Sequence, residues 1–139
     1  MTEADGGPVS VVVAGASVPD LQLLEETVAA LIVPRPTPTA DQPQHLGLDK
    51  GYEAIAGDEV VATYGYTGHI RRKGEATVVR EARTYPSRRW VVERTLAWLS
   101  KCRSILVRYA KKAANYLAGI QLACILIWDR RLDRLTVLR

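Results

Sequence analysis

Strand-like segments alternate with helical segments over most of this chain, and this alternation restricts the fold more than any other feature. β-Branched and apolar runs typical of short strands occupy residues 9–13, 45–49 and 66–70. The spacing of apolar residues predicts helices over residues 20–32, 53–64, 88–102 and 112–131. Strands that alternate with helices indicate an α/β layer domain. With 139 residues, the chain is long enough for one such domain with its own core.

Turn and loop residues set the expected boundaries of these elements. The turn Asp5–Pro8 is expected to follow the stub of a preceding strand at residues 1–4. Asp20 is a candidate N-cap of the first helix, whose predicted apolar stripe consists of Leu21, Leu24, Val28 and Leu31. An exposed linker is expected over residues 34–44 because of Pro34, Pro36, Pro38 and Pro43. The predicted organisation is therefore 1–33 (strand and helix), 34–44 (linker), 45–70 (strand–helix–strand) and 87–131 (C-terminal helices).

The C-terminal half is predicted in more detail as follows. A polar, basic loop is expected over residues 71–86, with Ser87 as the cap of the next helix and a brief extended piece over residues 105–109. The last helix is apolar nearly all round at its centre, which predicts that it packs on several sides. Its most apolar stretch, Tyr116 to Trp128, is shorter than the about 20 residues that a membrane span needs.

Cysteine usage and the N-terminal residues indicate a cytosolic protein. Cys102 and Cys124 are far apart in apolar helical surroundings, so we expect reduced, buried thiols. The first residues lack the basic start and apolar stretch of a signal peptide. Hydrophobic residues make up 47% of the chain, which favours a folded domain over disorder.

Positive charge is concentrated in residues 71–112, within a chain whose formal net charge is +4 and whose pI is near 9.3. The basic residues of this segment are Arg71, Arg72, Lys73, Arg80, Arg83, Arg88, Arg89, Arg94, Lys101, Arg103, Arg108, Lys111 and Lys112. Its acidic residues are Glu75, Glu81 and Glu93. A segment of this kind indicates a polyanionic partner, with nucleic acid the leading candidate. A solvated positive face without a partner remains the alternative.

Two carboxylates occupy positions that suit metal binding. Asp49 ends an apolar strand, and Glu93 lies at the border of the apolar face of the helix over residues 88–102. Ala97 and Ser100 follow Glu93 on its side of the helix and leave room in front of its carboxylate. An Asp and a Glu held together can bind Mg²⁺, which prefers one or two carboxylates with waters and phosphates. The alternatives are a turn role for Asp49 and a pair between Glu93 and Arg89.

Other catalytic arrangements find little support in the sequence. His45 and His69 are far from each other and from any cysteine in the chain, so a zinc site is not expected. Gly6-Gly7 lacks the strand and helix of a phosphate-binding loop. Four other aspartates are expected at turns, caps and helix ends, namely Asp5, Asp20, Asp129 and Asp133.

Several segments match the motifs of one known protein family. Leu48-Asp49-Lys50-Gly51-Tyr52 resembles the Asp-Lys-Gly-Tyr motif around the second catalytic Asp of the DDE-type insertion-sequence transposases in the insertion sequence four/five superfamily. Arg88-Arg89-Trp90-Val91-Val92-Glu93-Arg94-Thr95-Leu96-Ala97-Trp98-Leu99 resembles the segment around its catalytic Glu. The likeness includes the loop 15–20, similar to Gly-Ala-Asn-x-His-Asp, and continues through 107–109 and 115–118 to 122–124.

The resemblance implies roles for particular residues. Asp49 and Glu93 would be the second and third catalytic acids and would bind Mg²⁺, for which Mn²⁺ can substitute. Arg89 matches the Arg of the family's Tyr–Arg–Glu–Lys signature, whereas Tyr85 and Lys101 each stand one residue further out than the pattern has them. DNA, as element ends and target, would contact Lys50, Arg88, Arg89, Trp90, Arg94 and Lys101.

The resemblance also implies that a part of the family's domain precedes this chain. The expected fold is the C-terminal part of a ribonuclease-H-like domain, with residues 9–14 as its third strand and 45–49 as its fourth. The first catalytic Asp, on the first strand, would lie upstream. We therefore expect a cytoplasmic, nucleoid-associated chain that is inactive alone and has the N-terminal half or another transposase subunit as a partner. The alternative is a non-catalytic remnant that binds DNA or inhibits a transposase.

Overall fold

The computed structural model describes residues 1–53, 55–70 and 89–137, with the backbone alone at Arg89 and over 135–137. The chain forms two compact units. One, here called the β-unit, consists of residues 14–89. The other, here called the helical unit, combines residues 1–13 with residues 90–139. The predicted basic loop 71–86, the cap Ser87 and Arg88 lie outside the described residues.

A parallel strand pair with a connecting helix forms the centre of the β-unit. Strand β1 (Gln44–Leu48) pairs with strand β2 (Tyr66–Ile70), so that Gln44 lies opposite Tyr66 and Leu48 opposite Ile70. Parallel strands need a crossover connection, which here contains a helix over Ile55–Thr63. Leu46 and Val61 are buried, and a Cβ on Gly68 would approach Val61 Cγ1 to 2.9 Å. The helix therefore packs closely on one face of the strand pair. The strand predicted over 66–70 is confirmed, and the strand predicted over 45–49 is found one residue earlier, so that Asp49 follows it.

The first helix of the β-unit is shorter than predicted. A 3₁₀ turn over Asp20–Leu23 leads into helix α1 (Leu24–Ala29), in which Leu24 and Val28 are buried as expected. The prediction that Asp20 caps this helix is wrong, because the cap position is Pro19 and Asp20 lies in the first turn. The predicted end at Ile32 is also wrong. Ile32 is 74% exposed, so no packing holds a further turn, and Pro34 disfavours helical backbone just before it.

The proline-rich linker is irregular, as predicted, but it is anchored to the strands. No helix or strand is found between residues 30 and 43. Arg35 donates a hydrogen bond to Gln44 Oε1 at 3.1 Å and another to the carbonyl oxygen of Tyr64, and its guanidinium lies 3.9 Å from the ring centroid of Tyr66. Gln44 Nε2 donates back to the carbonyl oxygen of Pro36 at 2.7 Å. These contacts hold the middle of the linker against the start of both strands.

The crossover helix is here called α2 (Ile55–Thr63), and the helical unit contains α3 (Arg89–Ser100), α4 (Arg103–Leu106) and α5 (Ala113–Val137). Its buried side chains include Val91 and Thr95 on α3 and Ile120 and Ala123 on α5. The helix α4 replaces the extended piece predicted over residues 105–109, because backbone hydrogen bonds from Leu106 and Val107 continue helically to Cys102 and Arg103. That prediction was therefore wrong for residues 105 and 106.

The N-terminal residues of the helical unit form a hairpin-like turn that is bound by both long helices. Thr2 and Pro8 form an antiparallel bridge, and Gly6 has a φ of 90°. From α3, Thr95 Oγ1 donates to the carbonyl oxygen of Gly6 at 2.7 Å. From α5, Trp128 Nε1 donates to the carbonyl oxygen of Pro8 at 2.8 Å. The turn predicted over residues 5–8 is thus present, and its backbone acceptors are satisfied by side chains of the two helices.

Three predictions for the helical unit are wrong. Residues 9–13 form no strand, because no described strand pairs with them and β-branched residues make a strand only when a neighbour supplies hydrogen bonds. The centre of α5 packs on one side only, since Leu122 is 64% exposed and Ile125 is 61% exposed. On α3, Val92 and Leu96 are likewise exposed instead of lying on a broad buried face. No helix of the described chain is long and apolar enough to span a membrane.

Candidate active site

Asp49 lies immediately after the carboxyl end of β1 and begins a 3₁₀ turn, Lys50–Tyr52. Its extended backbone (φ −81°, ψ 178°) directs the chain out of the strand. Oδ1 accepts a hydrogen bond from the backbone N–H of Gly51 at 2.8 Å, which fixes the orientation of the carboxylate. The side chain is exposed, so Asp49 has the turn role considered as the alternative and is also accessible to a ligand.

The Tyr52 phenol is influenced by the charges of two aspartates, one of which is Asp49. Partial burial raises the pKa of the Tyr52 phenol, and the negative charges of Asp20 and Asp49 raise it further. Tyr52 therefore keeps its proton and can donate a hydrogen bond near these carboxylates. The sequence indicated no role of its own for Tyr52, although it belongs to the segment 48–52 that contains Asp49.

Glu93 lies in the second turn of α3 and is exposed. Val91 and Thr95, on the opposite side of the helix, are buried. Ala97 and Ser100 are exposed as well, and Ser100 Oγ bonds back to the carbonyl oxygen of Ala97 at 2.9 Å. The small neighbours therefore leave the surface on the Glu93 side of α3 open. The alternative role of Glu93, an ion pair with Arg89, stays untested because the Arg89 side chain lies outside the described part of the chain.

Arg94 connects α3 to the N-terminal turn and stacks on two tryptophans. Its Nη2 donates to the carbonyl oxygen of Asp5 at 2.6 Å. The guanidinium carbon lies 4.6 Å from the ring centroid of Trp90 and 5.0 Å from that of Trp98. Arg131 donates to the same carbonyl oxygen at 3.0 Å. Arg94 therefore has a structural role that the sequence did not indicate, beside its predicted contact with DNA.

The other predicted DNA-contacting residues are distributed over both units. Lys50 is exposed in the β-unit, and Trp90 (55% exposed) and Lys101 are exposed in the helical unit. Exposed basic side chains close to Lys101 in the chain are Arg103, Arg108, Lys111 and Lys112. Arg88, Tyr85 and the side chain of Arg89 lie outside the described residues. Part of the predicted basic segment is thus accessible in the helical unit.

The candidate carboxylates suit a divalent ion chemically but do not form a complete site. Carboxylate oxygens are ligands that Mg²⁺ prefers. Within the described ranges, no three His, Cys, Asp or Glu residues form a group that could hold a metal ion. Asp49 belongs to the β-unit and Glu93 to the helical unit, so their juxtaposition stays a prediction.

The expected separation of His45 and His69 is corrected by the register of the strands. His45 Nδ1 and His69 Nε2 lie 2.8 Å apart, although the two residues are distant in the chain. The two cysteines are free, as expected, but both are only partly buried.

Comparisons with known proteins agree on one family. A family model described as the transposase DDE domain matches residues 1–128. The chain is 31% identical, over 147 aligned residues, to a protein of Burkholderia cepacia named as the putative transposase for insertion sequence element IS402. That alignment covers 96% of this chain and 64% of the relative, so the chain spans less than two thirds of the relative's length. No solved structure matches the chain. Membership of this domain family generally implies the use of divalent metal ions. From the matched residues and the shared identity, the chain belongs to the DDE-type transposases of insertion sequences.

Proposed function

We propose that this chain supplies the second and third catalytic carboxylates of a DDE transposase, Asp49 and Glu93, within a ribonuclease-H-like catalytic domain that acts on DNA. The observation that carries the proposal is the position of Asp49. It follows the carboxyl end of a strand in a parallel βαβ unit, where functional residues of open α/β sheets are commonly found. The resemblance of the surrounding segments to the family supports Asp49 as the second catalytic acid and Glu93 as the third.

The local geometry at Asp49 supports a role as a ligand of fixed orientation. The N–H of Gly51 holds Oδ1, and a Cβ at Gly51 would lie 3.1 Å from this oxygen, so glycine keeps the space beside the carboxylate clear. The Asp49 carboxylate remains exposed to solvent. Tyr52 retains its proton near Asp49 because its pKa is raised. We infer that Tyr52 positions a water or a phosphate oxygen at this carboxylate by hydrogen bonding.

The surroundings of Glu93 support the same proposal from the helical unit. Thr95 and Val91 fix α3 against the N-terminal turn, so the backbone that carries Glu93 is held by buried contacts. The exposed small residues Ala97 and Ser100 leave space for a nucleic-acid backbone on the side of Glu93. A divalent ion such as Mg²⁺ or Mn²⁺, when bound by the carboxylates, would supply Lewis acidity for in-line displacement at a phosphate.

Exposed basic residues of the helical unit support DNA as the partner. Phosphate oxygens are bound by Lys and Arg without regard to sequence, and these contacts position the duplex. Lys101 and Arg103 follow directly after α3, which carries Glu93. Trp90 presents an exposed ring that can stack on a base, with Arg94 against it.

A non-catalytic role for the chain by itself is the second candidate, and one observation favours it. A two-metal mechanism needs several carboxylates around its ions, whereas the described residues contain no group of three metal-binding side chains. We therefore propose that the chain alone neither cuts nor joins DNA. Cleavage would then require a second polypeptide that carries a further acidic metal ligand. A DNA-binding protein that inhibits a complete transposase would share these properties.

A cleavage assay tests the catalytic proposal. The purified chain is incubated with Mg²⁺ or Mn²⁺ and duplex DNA taken from the region that flanks its own coding sequence. Parallel samples contain a DDE-domain fragment that carries the first catalytic Asp. We expect strand cleavage only when the chain and the fragment are mixed. Cleavage by the mixture should be lost when the chain carries Asp49→Asn or Glu93→Gln. It should be retained with Glu25→Gln, a control that removes an exposed charge from α1. Cleavage that persists in both carboxylate variants would exclude the catalytic assignment, and an inactive mixture that blocks a complete transposase would favour the inhibitor.

A further inference from the structure

Two histidines from adjacent strands meet on the β-unit. In the parallel register His45 lies opposite Thr67, and His69 lies opposite Gly47. These four residues share the face of the strand pair that points away from the side on which Leu46 is buried, because side chains alternate along a strand. The two imidazoles are therefore diagonal neighbours on one surface, and both are exposed.

The ring nitrogens of this pair converge on one point. His45 Nδ1 and His69 Nε2 are 2.8 Å apart, and the ring centroids are 4.9 Å apart with a 40° tilt between the planes. At this distance one nitrogen must carry a proton and the other must accept it. A zinc ion bound at about 2.0–2.1 Å with tetrahedral geometry holds two nitrogens about 3.3 Å apart. An opening of about half an ångström would therefore replace the shared proton by a metal ion.

Space for that opening exists beside His69. Gly47, its partner in the register, has no side chain, and a Cβ built there would meet no atom within 4 Å. The His69 ring can therefore shift without a clash at this neighbour. Because both rings are exposed, water molecules can complete the coordination of a bound ion.

We propose that His45 and His69 form a two-histidine site for a borderline divalent ion of the Zn²⁺, Ni²⁺ and Cu²⁺ class. Imidazole nitrogen suits these ions, and Cu²⁺ binds most tightly among them at a given nitrogen site. Mg²⁺ prefers oxygen ligands and does not compete. His45 precedes Asp49 by four residues, which places the two residues about 13 Å apart along the direction of the strand. The histidine site is therefore distinct from the carboxylate that belongs to the proposed catalytic function.

The lowered pKa of His69 favours metal binding beside the geometry of the two rings. Partial burial and the neighbouring His45 lower the pKa of the His69 imidazole below its ordinary value. Metal ligation requires the neutral ring, so a lowered pKa reduces competition from protons. A bound ion would join β1 to β2 through side chains in addition to their backbone hydrogen bonds, and it would stabilise the strand that precedes Asp49.

Titration calorimetry of the untagged full chain with ZnCl₂ and NiCl₂ tests the site. We expect the tightest site to hold one ion per chain, with its Kd raised at least tenfold in His45→Gln and in His69→Gln. The Kd of this tightest site should be unchanged in the double variant Asp49→Asn, Glu93→Gln and in the double variant Cys102→Ser, Cys124→Ser, because neither changes an imidazole. Equal affinity of the wild type and both histidine variants, or loss of binding in the carboxylate or cysteine variants alone, would overturn the proposal.

A measurement on the unmodified chain removes any dependence on how the variants fold. The chain contains only two histidines, so ¹⁵N labelling of histidine gives the imidazole resonances of His45 and His69 alone. Titration with Zn²⁺ is expected to shift the metal-bound nitrogen of both rings together. Zn²⁺ binding that leaves either ring unchanged would contradict a shared site. Mg²⁺ at the same concentrations is expected to change neither.

Discussion

The guanidinium of Arg94 donates to the carbonyl oxygen of Asp5 at 2.6 Å, which ties the N-terminal turn to the residue that follows Glu93 in the chain. Trp90 and Trp98 cover the same guanidinium, one turn of α3 on either side. Its Nε is buried and has no hydrogen-bond partner among the described residues. Arg94 thus couples the orientation of α3 to residues at the other end of the sequence.

Replacement of Arg94 by Ala is expected to destabilise the helical unit by about 1–2 kcal/mol, from the loss of one charge-assisted hydrogen bond and two stacking contacts. Asp5 retains the bond from Arg131, which limits the loss. Urea unfolding followed by tryptophan fluorescence measures the change. Lys101→Ala, which also removes one positive charge, should stay within about 0.5 kcal/mol of the wild type. Equal effects of the two substitutions would mean that the contacts of Arg94 contribute nothing specific.

Two glycines offer a matched test of the packing between the turn and the helices. At Gly6, φ is 90°, and a Cβ would lie 3.0–3.2 Å from Arg94, Thr95 and Val91. At Gly119, in α5, a Cβ would meet no atom within 4 Å. We expect Gly6→Ala to destabilise by about 1–3 kcal/mol through backbone strain, and Gly119→Ala to stabilise by up to about 1 kcal/mol through helix propensity. Unfolding midpoints that move in the same direction would contradict this account of the turn.

The sequence predicted β1, β2 and the helix between them because each has a clear pattern and their pairing is local to one βαβ unit. It could not predict the contact of His45 with His69, which depends on a register set by the crossover. The strand predicted over residues 9–13 is absent although its residues favour strands, because no described strand pairs with it. Arg94 was predicted only as a phosphate ligand, because its contact with Asp5 joins residues 89 positions apart.

Acidification is expected to weaken the β-unit through His69. Its pKa is lowered in the folded chain by partial burial and by His45, so the unfolded chain takes up the proton first. The contribution of neutral His69 to the free energy of unfolding is fully present above pH 6.5, the ordinary pKa of the imidazole. It is lost as the pH falls from there through the lowered pKa of the folded chain. Denaturant midpoints measured between pH 8 and pH 5 should decline in the wild type and decline less in His69→Gln. Parallel profiles for the two proteins would show that His69 makes no such contribution.

Binding of duplex DNA is expected to be weak, independent of sequence and steeply dependent on salt. Each phosphate contact changes the slope of log affinity against log salt by about 0.9. Replacement of Lys101 and Arg103 by Gln should flatten the slope, because both are exposed close to the end of α3. The control is the replacement of Arg130 and Arg134 by Gln, which removes the same amount of positive charge from exposed positions on α5. Equal slopes for the two double variants would point to net charge instead of a defined surface.

The central proposal is that Asp49 and Glu93 are ligands of one divalent ion, and a double-mutant cycle on Mn²⁺ binding tests it most directly. Electron paramagnetic resonance gives the Mn²⁺ affinity of the wild type, of Asp49→Asn, of Glu93→Gln and of the double variant. Ligands of one ion are coupled, so the two losses should not add. We predict that each single variant binds Mn²⁺ at least tenfold more weakly, and that the double variant binds little more weakly than the worse single variant. Losses that add fully, or wild-type affinity in either single variant, would contradict a shared site.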